Sequence, residues 1–205
     1  MTTHAEAREI VARAVPGIGP QESLAVRVIG LLESHYGDFW KHPGVGSNNW
    51  GAITKGTWTG PTFEYTDSRW DPKLGKKVYY QIGFRKYPTP EAGARDVYDH
   101  LVGRRHGAAM VAARDQDWLT FSRRLRESQY YLGNVPKEEA IAGHQRKVVS
   151  ALKTITRATG EKTRIPTPPA KPGTLPRKKA SAPGALVFIV IGLGLVWGVG
   201  KWRRK

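Results

Sequence analysis

The sequence predicts a mainly helical α+β domain with one small β-hairpin lobe, followed by a C-terminal transmembrane helix. Three observations carry this reading. Apolar residues recur at helical spacing over most of residues 1–160. One stretch, 61–87, instead holds two short strand-like runs around a polar turn. Further on, the 17 residues 184–200 contain no charged side chain.

Residues 2–15 read as an amphipathic helix, with no apolar run of the signal-peptide kind. A second helix over 21–36 places Leu24, Val28, Leu31 and Leu32 on one face and stops at Gly37. A Gly/Asn/Trp-rich loop fills 38–60. The strands span 61–65 and 78–87, and the polar turn spans 67–77. Thr89 caps and Pro90 opens a third helix, which carries Ala94, Val97 and Leu101 inward. Shorter helices follow at 108–114 and 118–126. A long helix over 138–157 spaces Ile141, Val148, Leu152 and Ile155 like heptad positions. There is no internal repeat.

Past residue 160 the composition changes. Residues 161–183 are rich in Pro, Lys, Thr and Ala and read as an extended, solvated linker. That linker separates the apolar run 184–200 from any core, which argues against a buried core helix. Trp202 and the basic tail 201–205 suit a membrane exit. The expectation is a single-pass C-terminal anchor in a lipid bilayer. Four Lys/Arg lie within about fifteen residues of the span on each side, so the positive-inside rule assigns no orientation.

A chain of 205 residues can bury one substantial core plus accessory segments. It has no cysteine, which excludes a disulfide framework and a thiolate metal site. The six histidines are scattered, and no His/Asp/Glu cluster has metal-ligand spacing, so neither metal nor cofactor is expected. The net charge of +16 is uneven: 23 Lys/Arg face 16 Asp/Glu in 1–160, and ten face one in 161–205. Anionic lipid, an acidic wall polymer and nucleic acid all suit such a surface. The clusters Arg104-Arg105 and Arg123-Arg124-x-Arg126 read as solvated helix faces, which makes nucleic acid the least favoured partner.

Two neighbouring segments carry chemistry. Glu33 ends an apolar helix, with Leu31 and Leu32 before it and exposed helix carbonyls around it. Both surroundings disfavour a negative charge and raise a carboxyl pKa. Asn48 and Asn49 offer uncharged donors and acceptors to sugar hydroxyls, Trp50 a ring to stack on a pyranose, and Gly51 close backbone approach. Taken singly, each has an ordinary reading: a solvated surface acid, and a turn with a buried tryptophan. Their succession points towards glycan cleavage, which needs a carboxylic acid to protonate the leaving oxygen.

Four elements in order give a resemblance. Glu33-Ser34-x-Tyr36-Gly37, Asn48-Asn49-x-Gly51-x-Ile53, Trp58-x-Gly60-Pro61 and Phe84-Arg85-x-Tyr87-x-x-x-Glu91-Ala92 resemble the bacterial endo-β-N-acetylglucosaminidases. That family includes autolysin glucosaminidase domains and flagellar-rod muramidases, and the similarity covers roughly residues 20–155. It implies a lysozyme-like helical domain that cuts the β-1,4 bond after N-acetylglucosamine in peptidoglycan strands. On this resemblance the general acid is Glu33 and the second carboxylate is Glu64, with Asp67 and Asp71 as weaker candidates. Trp58 joins Asn48, Asn49, Trp50 and Gly51 as a substrate-binding residue. The family's late tyrosine falls on Tyr130 or Tyr131, within a stretch that departs from the family pattern; Tyr131 is preferred as catalytic and Tyr130 as substrate-binding.

The reaction leaves three routes open. Glu64 can activate water for inversion, or orient the substrate's own acetamido group, or be dispensable in a lytic transglycosylase that needs one acid. A muramidase on the same polymer and a non-catalytic wall-binding membrane protein are the alternatives. A wall hydrolase without a signal peptide and with a tail anchor suits a bacteriophage component, in a virion membrane or the host inner membrane.

Overall fold

Several helix starts are written in their caps. The structure, a computed structural model, describes residues 1–38, 43–71, 74–130 and 137–170. In α1 (His4–Ala14), the Thr3 hydroxyl accepts from the Glu6 N–H while the Glu6 carboxylate accepts from the Thr3 N–H. Pro20 opens α2 (Pro20–Ser34), and Glu22 reaches back to accept from the Gly19 N–H at 3.1 Å.

α2 is buried on all sides from Ser23 to Gly30, not along one stripe, because α1, α3, α4 and α6 all pack against it. Leu31 and Leu32, expected inward, are only partly buried. Inside that run lies Arg27, with no exposed surface. Its guanidinium meets both carboxylate oxygens of Glu161, at 2.8 and 2.9 Å, and its Nε donates to the Ser23 carbonyl. A buried charge is tolerated only with such close pairing.

Glu161 begins the stretch expected to be an extended, solvated linker, and residues 161–170 carry no helix or strand and are exposed or half-buried. They run extended against the domain. Trp118 Nε1 donates to the Thr163 hydroxyl, the Arg164 N–H to Gln116 Oε1 at 2.8 Å, and Arg146 to the Ala170 carbonyl. Prolines fix an extended backbone but do not decide whether it is wet. The rest of the linker, the apolar span 184–200 and the tail 201–205 lie outside the described residues. Among the described residues no helix is long and apolar enough to cross a membrane.

The hairpin is longer than expected. β1 (Thr62–Asp71) and β2 (Lys76–Arg85) pair antiparallel from Thr62 opposite Arg85 to Asp71 opposite Lys76. Phe63 and Phe84 form a stacked cross-strand pair, 5.6 Å between ring centres, at the buried base. Towards the tip the ribbon is wet, with Tyr79 69% exposed. Polar residues therefore continue the strands through what reads as a turn.

The remaining helices are α3 (Pro90–Val102), α4 (Gly107–Arg114), α5 (Trp118–Glu127) and α6 (Lys137–Thr159). Thr89 caps α3 and Asp117 caps α5 through their side chains. Ala94, Val97 and Leu101 face inward as expected, and so do Ile141, Val148, Leu152 and Ile155. The described domain is thus mainly helical with one two-stranded antiparallel sheet.

Candidate active site

Glu33 occupies the last turn of α2. The helix stops at Ser34, two residues earlier than expected, because His35 (φ 50°), Tyr36 (φ 61°) and Gly37 (φ 90°) all turn left-handed. For the two non-glycine residues this costs about 1 kcal/mol each. Tertiary contacts hold them there. Tyr36 is buried, its ring 5.1 Å from that of Trp50 and its hydroxyl 2.9 Å from His4 Nδ1. Half-buried at this break, the Glu33 carboxyl is pushed up to about 7 by its surroundings, while the Lys147 ammonium of α6 draws it down.

The loop behind it is built differently from the sugar-reading surface expected. Asn49 is fully buried: its amide donates to the carbonyls of Ile53 and Arg85 at 2.9 and 3.0 Å, and its oxygen accepts from the Ile53 N–H. Trp50 is likewise buried, its ring within 3.5 Å of where Gly30 or Gly93 side chains would stand. Both residues fold the loop rather than line a groove. The Asn48 amide donates to the Tyr87 carbonyl, and its own carbonyl sits only 1.8 Å from where a Cβ on Gly93 would be. Gly51 is buried too, hemmed in by Val97 and the Tyr130 hydroxyl. The tight fit explains the glycine, though the close partner is protein.

Trp58 is only half-buried. Its Nε1 donates to the Pro61 carbonyl, and the Arg85 guanidinium lies 5.2 Å from its ring centre. Glu64 is exposed on β1, opposite Gly83 and beside Lys55. Asp67 and Asp71 are on the same strand. No hydrogen bond or ion pair among the described residues joins Glu64 to Glu33. Tyr130 closes α5 onto the loop, its hydroxyl donating to the Gly51 carbonyl at 3.2 Å and its ring edge-on to His106. Burial, then the negative charges of Glu33 and Asp96, raise its pKa well above the ordinary tyrosine value, so it stays a donor. Tyr131 lies outside the described residues.

One part of this region went unforeseen. Asp96 of α3 accepts from Arg85 at 3.0 and 3.2 Å, from the Tyr87 hydroxyl, and lies 3.6 Å from His100. Burial pushes its carboxyl up, but the His100 and Tyr87 hydrogen bonds and the charges of His100 and Arg85 outweigh that and hold it low. The Arg85-x-Tyr87 element was visible in the sequence. Nothing in the spacing named its partner in α3.

Three of the clustered arginines are engaged locally: Arg123 pairs with Glu138, Arg124 with Glu127, and Arg105 donates to the Ser128 carbonyl. Among the described residues no group of His, Asp and Glu could hold a metal ion. A recess of about 660 Å³ beside α1 and Asp38 includes none of the expected site residues.

No family model matches the chain, and no curated protein matches it. Among solved structures it is similar to a peptidoglycan hydrolase mutant from Sphingomonas sp. A1. That likeness has 21% identity and a TM-score of 0.52, covering 75% of this chain and 92% of the other. It is also similar to a C-terminally truncated glycoside hydrolase domain from Salmonella typhimurium FlgJ. There identity is 18% and the TM-score 0.46, over 74% and 91% of the two chains. The domain therefore has the fold of the Sphingomonas protein.

Proposed function

We propose that this domain is a peptidoglycan glycosidase that hydrolyses the β-1,4 bond after N-acetylglucosamine, with Glu33 as general acid. The observation that carries the reading is the half-buried Glu33 carboxyl, raised to about 7 at the broken end of α2. A group with that pKa can deliver its proton to the leaving glycosidic oxygen at neutral pH. The shared fold with a peptidoglycan hydrolase supports the choice of polymer.

Around Glu33 the residues divide the work. Asn49, Trp50 and Gly51 hold the loop, and the Tyr130 hydroxyl pins it to α5. The accessible ring of Trp58 stacks on a sugar face. Glu64, carried on the hairpin, activates the attacking water or orients the substrate's acetamido group.

A lytic transglycosylase is the second reading, and one observation favours it. Glu33 has the raised carboxyl that a single-acid route needs, and no hydrogen bond or ion pair among the described residues joins Glu64 to it. Retention of the acid speaks against a non-catalytic wall-binding role. The apolar run 184–200 with its basic tail supports a membrane-anchored enzyme, in a phage virion membrane or a host inner membrane. Carbonate extraction of membranes from expressing cells tests that anchor, and release into the soluble fraction would exclude it. Zymography with the full-length protein on embedded cell walls tests the activity. Clearing is expected, and an intact gel at every load would overturn the reading.

A further inference from the structure

The C-terminal half of α3 and the segment leading into α4 enclose a recess of about 430 Å³, bordered by Asp96, Asp99, His100, Arg104, Arg105 and His106. Its two acids are already matched. Asp96 is held by Arg85, and Asp99 lies 2.9 Å from Arg95. Two guanidinium groups are therefore in excess. Arg105 is partly committed, through Nε to the Ser128 carbonyl and Nη2 to Gln129 at 3.0 Å. Arg104 is exposed, and no acid among the described residues pairs with it. The Asp96 hydrogen bond also draws His100 towards its charged form.

The recess adjoins the candidate active site through His106, which packs against Tyr130. Asp96 borders it and also receives the Tyr87 hydroxyl. His106, bonded to the Ser128 hydroxyl at 2.7 Å, packs edge-on to Tyr130, whose own hydroxyl rests on Gly51. A glycan lying along Tyr130 and Trp58 would therefore carry its branches past this surplus positive charge. In peptidoglycan the anionic groups on those branches are peptide carboxylates, and a guanidinium fork suits a carboxylate. The volume is that of a site for a few covalently linked groups.

We propose that this recess binds a carboxylate of the peptide branch on a muramyl residue, with Arg104 as its main contact and Arg105 and His100 in support. The inference rests on the reading of the domain as a peptidoglycan glycosidase.

The test compares two substrates, intact peptidoglycan and the same glycan stripped of peptides by an amidase, using the full-length protein. On intact substrate, Arg104→Ala is expected to lower kcat/KM by about three- to five-fold, and Arg104→Glu by about ten-fold. On stripped glycan both variants should stay within about two-fold of the native protein. Arg157→Glu, which reverses an exposed charge on α6, should change neither rate. Thermal unfolding of each variant verifies the fold. Equal losses on both substrates, or no loss on intact peptidoglycan, would overturn the inference. If the native protein cleaves neither substrate, the glycosidase reading itself fails and the inference falls with it.

Discussion

The Ser34 hydroxyl donates to the Trp50 carbonyl at 2.8 Å and accepts from the Gly37 N–H at 2.8 Å. This one side chain, next to Glu33, ties the end of α2 to the loop that follows and to the left-handed turn between them. Ser34→Ala leaves two backbone groups without that partner, one of them fully buried. It should lower stability by about 1–3 kcal/mol, seen as a lower midpoint in urea unfolding. An unchanged midpoint would mean that water replaces the hydroxyl.

Trp50 and Trp58 should respond in opposite ways to truncation. Trp50 has no exposed surface, so Trp50→Ala should cost about 3–5 kcal/mol in unfolding experiments. Trp58 is half-buried at the base of the hairpin, so Trp58→Ala should raise KM for glycan several-fold with a smaller stability loss. If Trp50→Ala folds normally and only KM rises, the assignment of the two rings is reversed.

Much of the helical framework was legible in the sequence because caps and apolar spacing are local. Thr89-Pro90 marked the start of α3, and Ile141, Val148, Leu152 and Ile155 marked the buried face of α6. The hairpin was read too short because the described far end of β2, from Lys76 to Gln81, is exposed or only half-buried, so burial imposes no alternation there. Asn49 was misread for a different reason. An amide suits a sugar and a backbone equally, and only the fold shows its hydrogen bonds spent on Ile53 and Arg85. Long-range partners such as Glu161 for Arg27, 134 positions apart, leave no local mark at all.

Acidity should act on activity and stability through the same carboxyl. Turnover that depends on protonated Glu33 should fall about ten-fold per pH unit above its raised value near 7. Between the ordinary glutamate value and about 7, the folded protein holds a proton that the unfolded chain has lost. Stability contributed by that proton is complete below the ordinary value and is lost as pH rises towards 7. Glu33→Gln should remove this slope, leaving the variant more stable than the native protein at pH 8, by on the order of 2 kcal/mol. A native slope unchanged in the variant would place the titrating group elsewhere.

Glu64 separates the chemical routes. Glu64→Gln should reduce turnover at least about a hundred-fold if that carboxylate activates water or orients the acetamido group. Near-native turnover, with anhydro products, would instead favour the single-acid transglycosylase.

The most direct measurement is mass spectrometry of peptidoglycan digested by the full-length protein, run beside its Glu33→Gln variant. The account predicts fragments ending in reducing N-acetylglucosamine from the native protein, and none above background from the variant, with both showing the same circular dichroism spectrum. The same fragments released at the same rate by Glu33→Gln would contradict it.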